Sequence, residues 1–425
     1  MHELIDIIKG KVASIRQGNN HVGKNVILLL LTQMVNYLFP LLTMKYLIIT
    51  IGVDYFGRIS FAQAFLLYFT IITDYGFNIT ATRDIARNSQ SPQAVSRIVG
   101  SVYAAKFLLL LLCTFVYIAT ILLSDRFNSD ITLYIMFWGV VVGACLFPQW
   151  YFQGIQRLGQ ITIVNITIKV LLLMSVFVVI NDKSDYIYVP LIYSASFIIA
   201  GTYASIICFK DCHFIRYIHI TDIIKAFKEG FPIFISSSMS VILNGSSVFI
   251  MGLIVTEELI GYYSGFDRII RACILIFAPI TTAIYPHISE LMVQQKAAGI
   301  RYIKRAAKYT LFLAIAIALM LILTSDFIIP IFFTREFLNY KMVLYVLSAW
   351  MIFSVANNFI GVQYLTCIGQ SKLYAILMTF SGIATVLLIL FLTQKYSCYG
   401  TAFAILIGEL VLTVTMLGSI KIKKL

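Results

Sequence analysis

Apolar residues fall into long blocks at 26–50, 58–80, 100–123, 131–154, 160–180, 187–208, 230–255, 261–286, 307–324, 341–364, 374–393 and 399–420. A bilayer crossing needs about 20 such residues, so the pattern predicts an all-α integral membrane protein of about twelve transmembrane helices. Short polar turns separate some blocks, at Ser124–Asp130, Asn181–Asp185, Thr256–Glu258 and Gln394–Ser397. The connections on the other side are longer and basic. Ahead of the first block, Leu4, Ile8, Val12 and Ile15 share one helical face while Lys9, Lys11 and Arg16 lie elsewhere, the pattern of a short helix on the membrane surface. No small-residue cleavage site follows the first block, which is therefore expected to be a retained span and not a signal peptide.

Hydrophobicity is weakest over Lys210–Glu229, near the middle of the chain. The expected organisation is a cytoplasmic amphipathic segment at 1–24, a first six-helix bundle at 25–209, a cytoplasmic linker at 210–229, a second six-helix bundle at 230–420 and a basic tail at 421–425. Equal halves suggest an internal repeat. DYFGRISFAQ around Gly57 echoes LIGYYSGFDR around Gly261, and YFQGIQRLGQ (151–160) echoes YLTCIGQSKL (364–373). An even number of spans per half gives both halves the same topology.

Basic residues set the orientation. Arg83, Arg87, Arg97, Lys210, Arg216, Lys225, Lys228, Lys296, Arg301, Lys304, Arg305, Lys421, Lys423 and Lys424 fall on one side, against Arg126, Lys183, Arg335 and Lys395 on the other. Both termini are therefore expected in the cytoplasm. The net charge of +13 belongs to these loops facing anionic lipid, not to a nucleic-acid surface. With 60% hydrophobic and 12% charged residues among 425, against about 25% charged in soluble domains, no room remains for a water-soluble catalytic domain.

Catalytic and metal arrangements find no support. The seven cysteines form no CxxC pair, and even the adjacent Cys208, Cys212 and His213 read as buried thiols at a span end. The five histidines are scattered at membrane edges. GxSxG, HExxH and Walker motifs are missing, so the chain is read as a non-enzyme with no metal and no direct drive by ATP.

Ionisable groups at membrane depth are costly and usually face a wet cavity or a partner. Asp267, Arg268 and Arg271 lie about 10–16 Å inside one span end at 1.5 Å per residue. Asp267 and Arg271 are i, i+4 neighbours that can pair, and Arg268 shares a face with Arg271. Two arginines beside one carboxylate make an anion site, since the planar guanidinium donates two parallel hydrogen bonds to phosphate; a purely structural ion pair is the alternative. Lys169, Arg58 and Lys45 add positive charge from the first half, completing an expected cationic lumen. Lys106 and Lys341, close to span ends, are expected to snorkel to the surface. Glu409 and Asp74 join Asp267 as candidates for coupling or ion pairing. Asn36, Asn244, Asn357 and Asn358 either bond across helix contacts or line a polar path. Pro40, Pro148, Pro232 and Pro279 are candidate kinks.

The segments NVILLLLTQMVNYLFPLLTMKYL, IGVDYFGRISFAQAF and TDYGFNITATRDIARN between Asn25 and Asn88 resemble the opening of bacterial polysaccharide flippases of the Wzx type. FPQWYFQGIQRLG, the stretch from Gly230 to Arg271 and NNFIGVQYL extend that resemblance over essentially the whole chain. It implies a twelve-span, two-bundle, V-shaped transporter of the bacterial inner membrane, related to multidrug exporters of the MATE type. It also implies a cargo of undecaprenyl-pyrophosphate-linked oligosaccharide, an O-antigen or related repeat unit, moved to the periplasmic leaflet by alternating access. H+ or Na+ coupling is expected for the group. Membrane lipid surrounds such a protein, and a polysaccharide polymerase and a chain-length regulator are its expected partners. Two rivals share some of these features. One is a MATE-like exporter of another lipid or drug, although cationic drugs would favour a lumen with excess carboxylates; the other is a membrane polysaccharide polymerase, which needs larger exoplasmic loops.

Overall fold

The computed structural model describes residues 41–212 and 218–423, without the side chains of 158, 160, 161, 240 and 242–244. The surface helix expected within residues 1–24 and most of the first span lie outside the described residues. All regular structure among the described residues is helical. In chain order the α-helices of six or more residues are α1 (Leu41–Ile51), α2 (Val53–Asp74), α3 (Phe77–Arg87), α4 (Pro92–Leu123), α5 (Ile131–Leu146), α6 (Gln149–Gly154), α7 (Leu158–Val179) and α8 (Tyr188–Asp211). There follow α9 (Ile220–Gly245), α10 (Ser247–Gly252), α11 (Glu257–Leu275), α12 (Ala278–Gln294), α13 (Lys296–Leu323), α14 (Ser325–Phe332), α15 (Lys341–Asn358) and α16 (Ser371–Ile422).

Nine helices among the described residues are long and apolar enough to cross a membrane. The longest, α16, carries two of the expected spans, because Ser397 adopts φ 52°, ψ −133° and bends the helix there. Helix starts follow local chemistry. Ser91 caps α4 by accepting from the Ala94 N–H, with Pro92 at the first helical position, where its missing N–H costs nothing. Gly52 and Gly76, at φ 89° and 79°, take the left-handed conformation that glycine tolerates, and they separate α1 from α2 and α2 from α3. Of the candidate kinks, Pro148 and Pro279 sit at the starts of α6 and α12, Pro232 lies inside α9, and Pro40 is outside the described residues. After α15 the chain continues as a π-helix over Phe359–Thr366.

Compactness divides the chain into two units, each drawing on both halves of the sequence. The first contains Phe69–Val179 and Ile187–Ser237. Its core gathers Phe77, Ile85, Val99, Trp150, Phe152 and Cys208 from α3, α4, α6 and α8. α5 and α8 pack backbone to backbone: a Cβ on Gly143 would overlap the Phe197 carbonyl, and one on Gly201 would overlap the Gly143 carbonyl. Such contacts suit a bilayer, where close packing replaces the hydrophobic drive available in water. The second unit contains Leu41–Tyr68, Ile180–Tyr186 and the chain from Ser238 onward.

Candidate functional site

The second unit brings together the charges expected in α11 and residues from α2. Each helix carries a glycine four residues after its start, Gly57 after Val53 and Gly261 after Glu257. The two helices cross there at backbone distance: a Cβ on Gly57 would lie 2.9 Å from the Gly261 nitrogen and overlap the Glu257 carbonyl, while one on Gly261 would overlap the Val53 carbonyl. Glu257 and Glu258 in the first turn of α11 complement the positive end of its dipole.

Deeper along this helix pair, Asp267 is buried and accepts from Arg271 Nε at 2.7 Å, as the i, i+4 spacing predicts. Arg268 reaches across to α2, where its Nη2 donates to Gln63 Oε1 at 2.8 Å and to Ser60 Oγ at 3.2 Å. Its guanidinium also sits 4.9 Å from the Phe56 ring centroid, within cation–π range. Ser60 and Gln63 did not stand out in the sequence. A signal was there: in the glycine-anchored echo they occupy the positions of Ser264 and Asp267.

Arg271 leads to a second feature, a cavity of about 190 Å³ within the same unit. It is lined by Arg271, Trp350, Asn357, Asn358, Tyr374 and Glu409 together with Ser381 and Thr385. The Arg271 guanidinium lies 5.3 Å from the Trp350 ring centroid. Glu409 is held at both oxygens, by Asn357 Nδ2 at 3.0 Å and by Trp350 Nε1 at 3.3 Å. Asn357 in turn accepts from Thr413 Oγ1 at 2.8 Å. Asn358 Oδ1 is buried there with no hydrogen-bond partner, an acceptor available to a ligand or a water. Glu409, Asn357, Asn358 and Arg271, spread over more than a hundred residues of sequence, thus share one polar chamber.

The remaining candidates lie elsewhere. Lys45 is half-buried in α1, and Arg58 lies 5.2 Å from the Tyr55 ring centroid on its own helix. Asp74 and Lys169 belong to the first unit. Asp74 accepts from Asn78 at 2.7 Å and faces Lys106 Nζ at 3.9 Å. Lys106 is only 2% exposed, which corrects the expectation that it snorkels. The reason is that α4 starts at Pro92, well before the apolar block, so Lys106 lies deeper than a count from that block suggests. Lys341 does reach the surface, with Asp326 at 3.0 Å. Asn36 is outside the described residues, as is the side chain of Asn244. Cys208 and Cys212 are buried, and among the described residues no group of His, Cys, Asp and Glu is placed to hold a metal.

Comparison with known proteins agrees with this architecture. A protein of Escherichia coli (strain K12) named "Putative O-antigen transporter" is 29% identical over 403 residues, covering 95% of this chain and 97% of the relative. A Shigella dysenteriae protein of the same name is 22% identical over 418 residues, covering 94% of this chain and 100% of its own length. The fold resembles the lipid II flippase MurJ in an inward closed conformation, with a TM-score of 0.72 at 15% identity over 93% of this chain and 87% of that one. It also resembles an inward-facing multidrug resistance MATE family transporter of the MOP superfamily, with a TM-score of 0.67 at 14% identity over 92% and 95%. A family model described as polysaccharide biosynthesis protein matches residues 22–292, most of the chain, and the chain belongs to that family.

Proposed function

We propose that the protein is a flippase, a transporter and not an enzyme, that moves undecaprenyl-pyrophosphate-linked oligosaccharide across the bacterial inner membrane by alternating access. The observation that carries this reading is the whole-length similarity to two proteins named as O-antigen transporters in a chain whose α11, part of a helix long and apolar enough to span a membrane, carries two arginines. The cargo has an anionic head, a hydroxyl-rich glycan and a long apolar tail. The head needs cations in a wet site, while the tail remains in lipid. Arg268 and Arg271 supply that grip, since guanidinium matches phosphate oxygens bidentately. Arg58, Lys45 and Lys169 add to the positive field along the route.

In this reading transport runs from the cytoplasmic to the periplasmic leaflet and is coupled to H+ or Na+. Glu409 is the coupling carboxylate: its cavity contains acceptors for a cation, and the cavity wall includes Arg271. A cation taken up beside Glu409 changes the field at Arg271, and through Arg271 at Asp267. Binding energy at one site can shift an equilibrium only through such a difference between states. Downstream, a polysaccharide polymerase and a chain-length regulator would receive the cargo.

The test is deletion of the gene in its host, followed by an assay of which leaflet holds the lipid-linked glycan. Accumulation on the cytoplasmic side with loss of surface polymer, restored by the intact chain and not by Arg268→Ala present at equal membrane level, is the expected result. Repeat units that still reach the periplasm, with only polymer length altered, would favour a polymerase. Normal polymer with heightened drug sensitivity would favour a MATE-like exporter of another substrate.

A further inference from the structure

The contact between α2 and α11 uses the same guanidinium that the proposed transport reading gives to the cargo. Arg268 is bound across the helix pair by Gln63 Oε1 at 2.8 Å and Ser60 Oγ at 3.2 Å, and it rests on Phe56. All three partners lie on α2, between one residue before Gly57 and six residues after it. The crossing at Gly57 and Gly261 leaves no space for a side chain. Backbone approach at the glycines and the Arg268 contacts deeper in are therefore parts of one closure. The glycines permit the approach, and Arg268 supplies the polar bonds that hold it.

A guanidinium has five donors in a fixed plane, and an anion that engages it bidentately takes the donors facing the anion. Bonds to a charged acceptor are roughly twice as strong as those to neutral acceptors. A phosphate group therefore outcompetes a carboxamide and a hydroxyl for the same N–H groups. We propose that Gln63 and Ser60 are positioning residues that clasp Arg268 across the crossing of α2 and α11, and that a phosphate-bearing anion binding Arg268 displaces them and loosens the crossing. The proposal rests on the reading of Arg268 as a cargo contact. It adds that binding and helix separation compete for the same bonds, so arrival of cargo is itself the trigger for opening at the Gly57 end.

The experiment places spin labels at Asp54 and Thr256, which are exposed near the two helix starts, in the full chain with its seven cysteines replaced. Thr256 makes no side-chain capping bond, so labelling there leaves the helix start intact. The distance distribution is recorded in lipid nanodiscs, with and without inorganic pyrophosphate. The parent is expected to show one short separation that gains a longer population on adding pyrophosphate. Gln63→Ala should show the longer population without pyrophosphate, and Ser60→Ala a smaller version of the same shift. Gln63→Glu, a stronger acceptor, should raise the pyrophosphate concentration for half-conversion by about tenfold.

The clasp is refuted if Gln63→Ala and Ser60→Ala match the parent without ligand, or if Gln63→Glu leaves the half-conversion unchanged. Calorimetry on the same samples separates this from failure of the cargo reading. Pyrophosphate that binds the parent, loses binding in Arg268→Ala and never changes the distances would remove the clasp alone. Pyrophosphate that does not bind the parent would remove the cargo reading, and the ligand-free distributions would still decide the clasp. Should Gln63→Ala fail to fold, Gln63→Asn, which shortens the side chain and retains the amide, takes its place.

Discussion

The pair of buried Lys106 and half-buried Asp74 shows how one residue can be misjudged from its neighbours in sequence and still be explained physically. Lys106 has almost no exposure and faces Asp74 at 3.9 Å, while a third of the Asp74 side chain stays accessible. Removing one member of such a pair costs more than removing both, because the survivor keeps its desolvation penalty. Lys106→Met is expected to lower stability by about 1–2 kcal/mol, with Asp74's exposure moderating the loss. Adding Asp74→Asn should recover part of it, and thermal unfolding of the four purified proteins would yield a coupling of about 0.5–3 kcal/mol. Equal and additive losses would show that the pair carries no mutual energy. The contrast with Asp267 and Arg271 is instructive. That pair was legible because i, i+4 geometry is fixed by the helix itself. The acceptors of Arg268 were harder to read, because Ser60 stands 208 residues away in the chain, and only the echo between the two glycine-anchored segments, not a local rule, connects such positions.

At the scale of elements, hydropathy located the spans well, because a helix in lipid must satisfy its own backbone groups and so advertises itself as an uninterrupted apolar block. Irregularities inside the blocks were less legible. The polar turn expected at 394–397 is mostly helical, with only Ser397 leaving helical geometry, and the π-helix at Phe359–Thr366 has no sequence signature in its composition. Glycine contacts explain which helices pair most tightly. Gly143 and Gly201 let α5 and α8 touch backbone to backbone, while Gly418 in α16 has nothing within 4 Å of an added Cβ. Ser205 of α8 reinforces the first contact by donating to the Leu146 carbonyl of α5 at 2.6 Å, and Tyr103 of α4 donates to the same carbonyl at 3.0 Å. Gly143→Leu is accordingly expected to abolish the monodisperse peak in size-exclusion chromatography of the solubilised protein, whereas Gly418→Leu should run like the parent. If both substitutions were tolerated, the α5–α8 contact would not set the packing of the first unit.

For the whole molecule, the sequence predicts orientation more directly than it predicts grouping. Compactness joins Leu41–Tyr68 to the chain beyond Ser238, and hydropathy contains no term for that choice, since every apolar face is equally content against lipid. Two continuous helices, α2 and α9, pass from one unit into the other at Tyr68 and at Ser237. A reading that assigns whole helices to bundles has no means of seeing this. Orientation instead follows from charge, because Lys and Arg in short loops resist translocation. The loops around Arg83, Arg97, Lys225 and Lys304 are basic, and those around Arg126, Lys183 and Lys395 are nearly bare of cations. Alkaline phosphatase, active only outside the cytoplasm, should therefore report activity when fused after Asp182 and none when fused after Gln295 or at the C-terminus. A fluorescent protein that folds only in the cytoplasm should show the reverse. The outcome bears on mechanism as well as topology. Asp182 follows α7 within the short segment Ile180–Tyr186 that groups with α1 and α2, and Tyr186, the last residue of that segment, stacks on Tyr55 at 4.2 Å, two residues from Gly57 on the same helix. Phosphatase activity at 182 would thus place the Gly57 and Gly261 crossing at the periplasmic side, where its proposed loosening by an anion at Arg268 would open the way to release. Activity at 295 would place it at the cytoplasmic side, and the closed crossing would then guard entry.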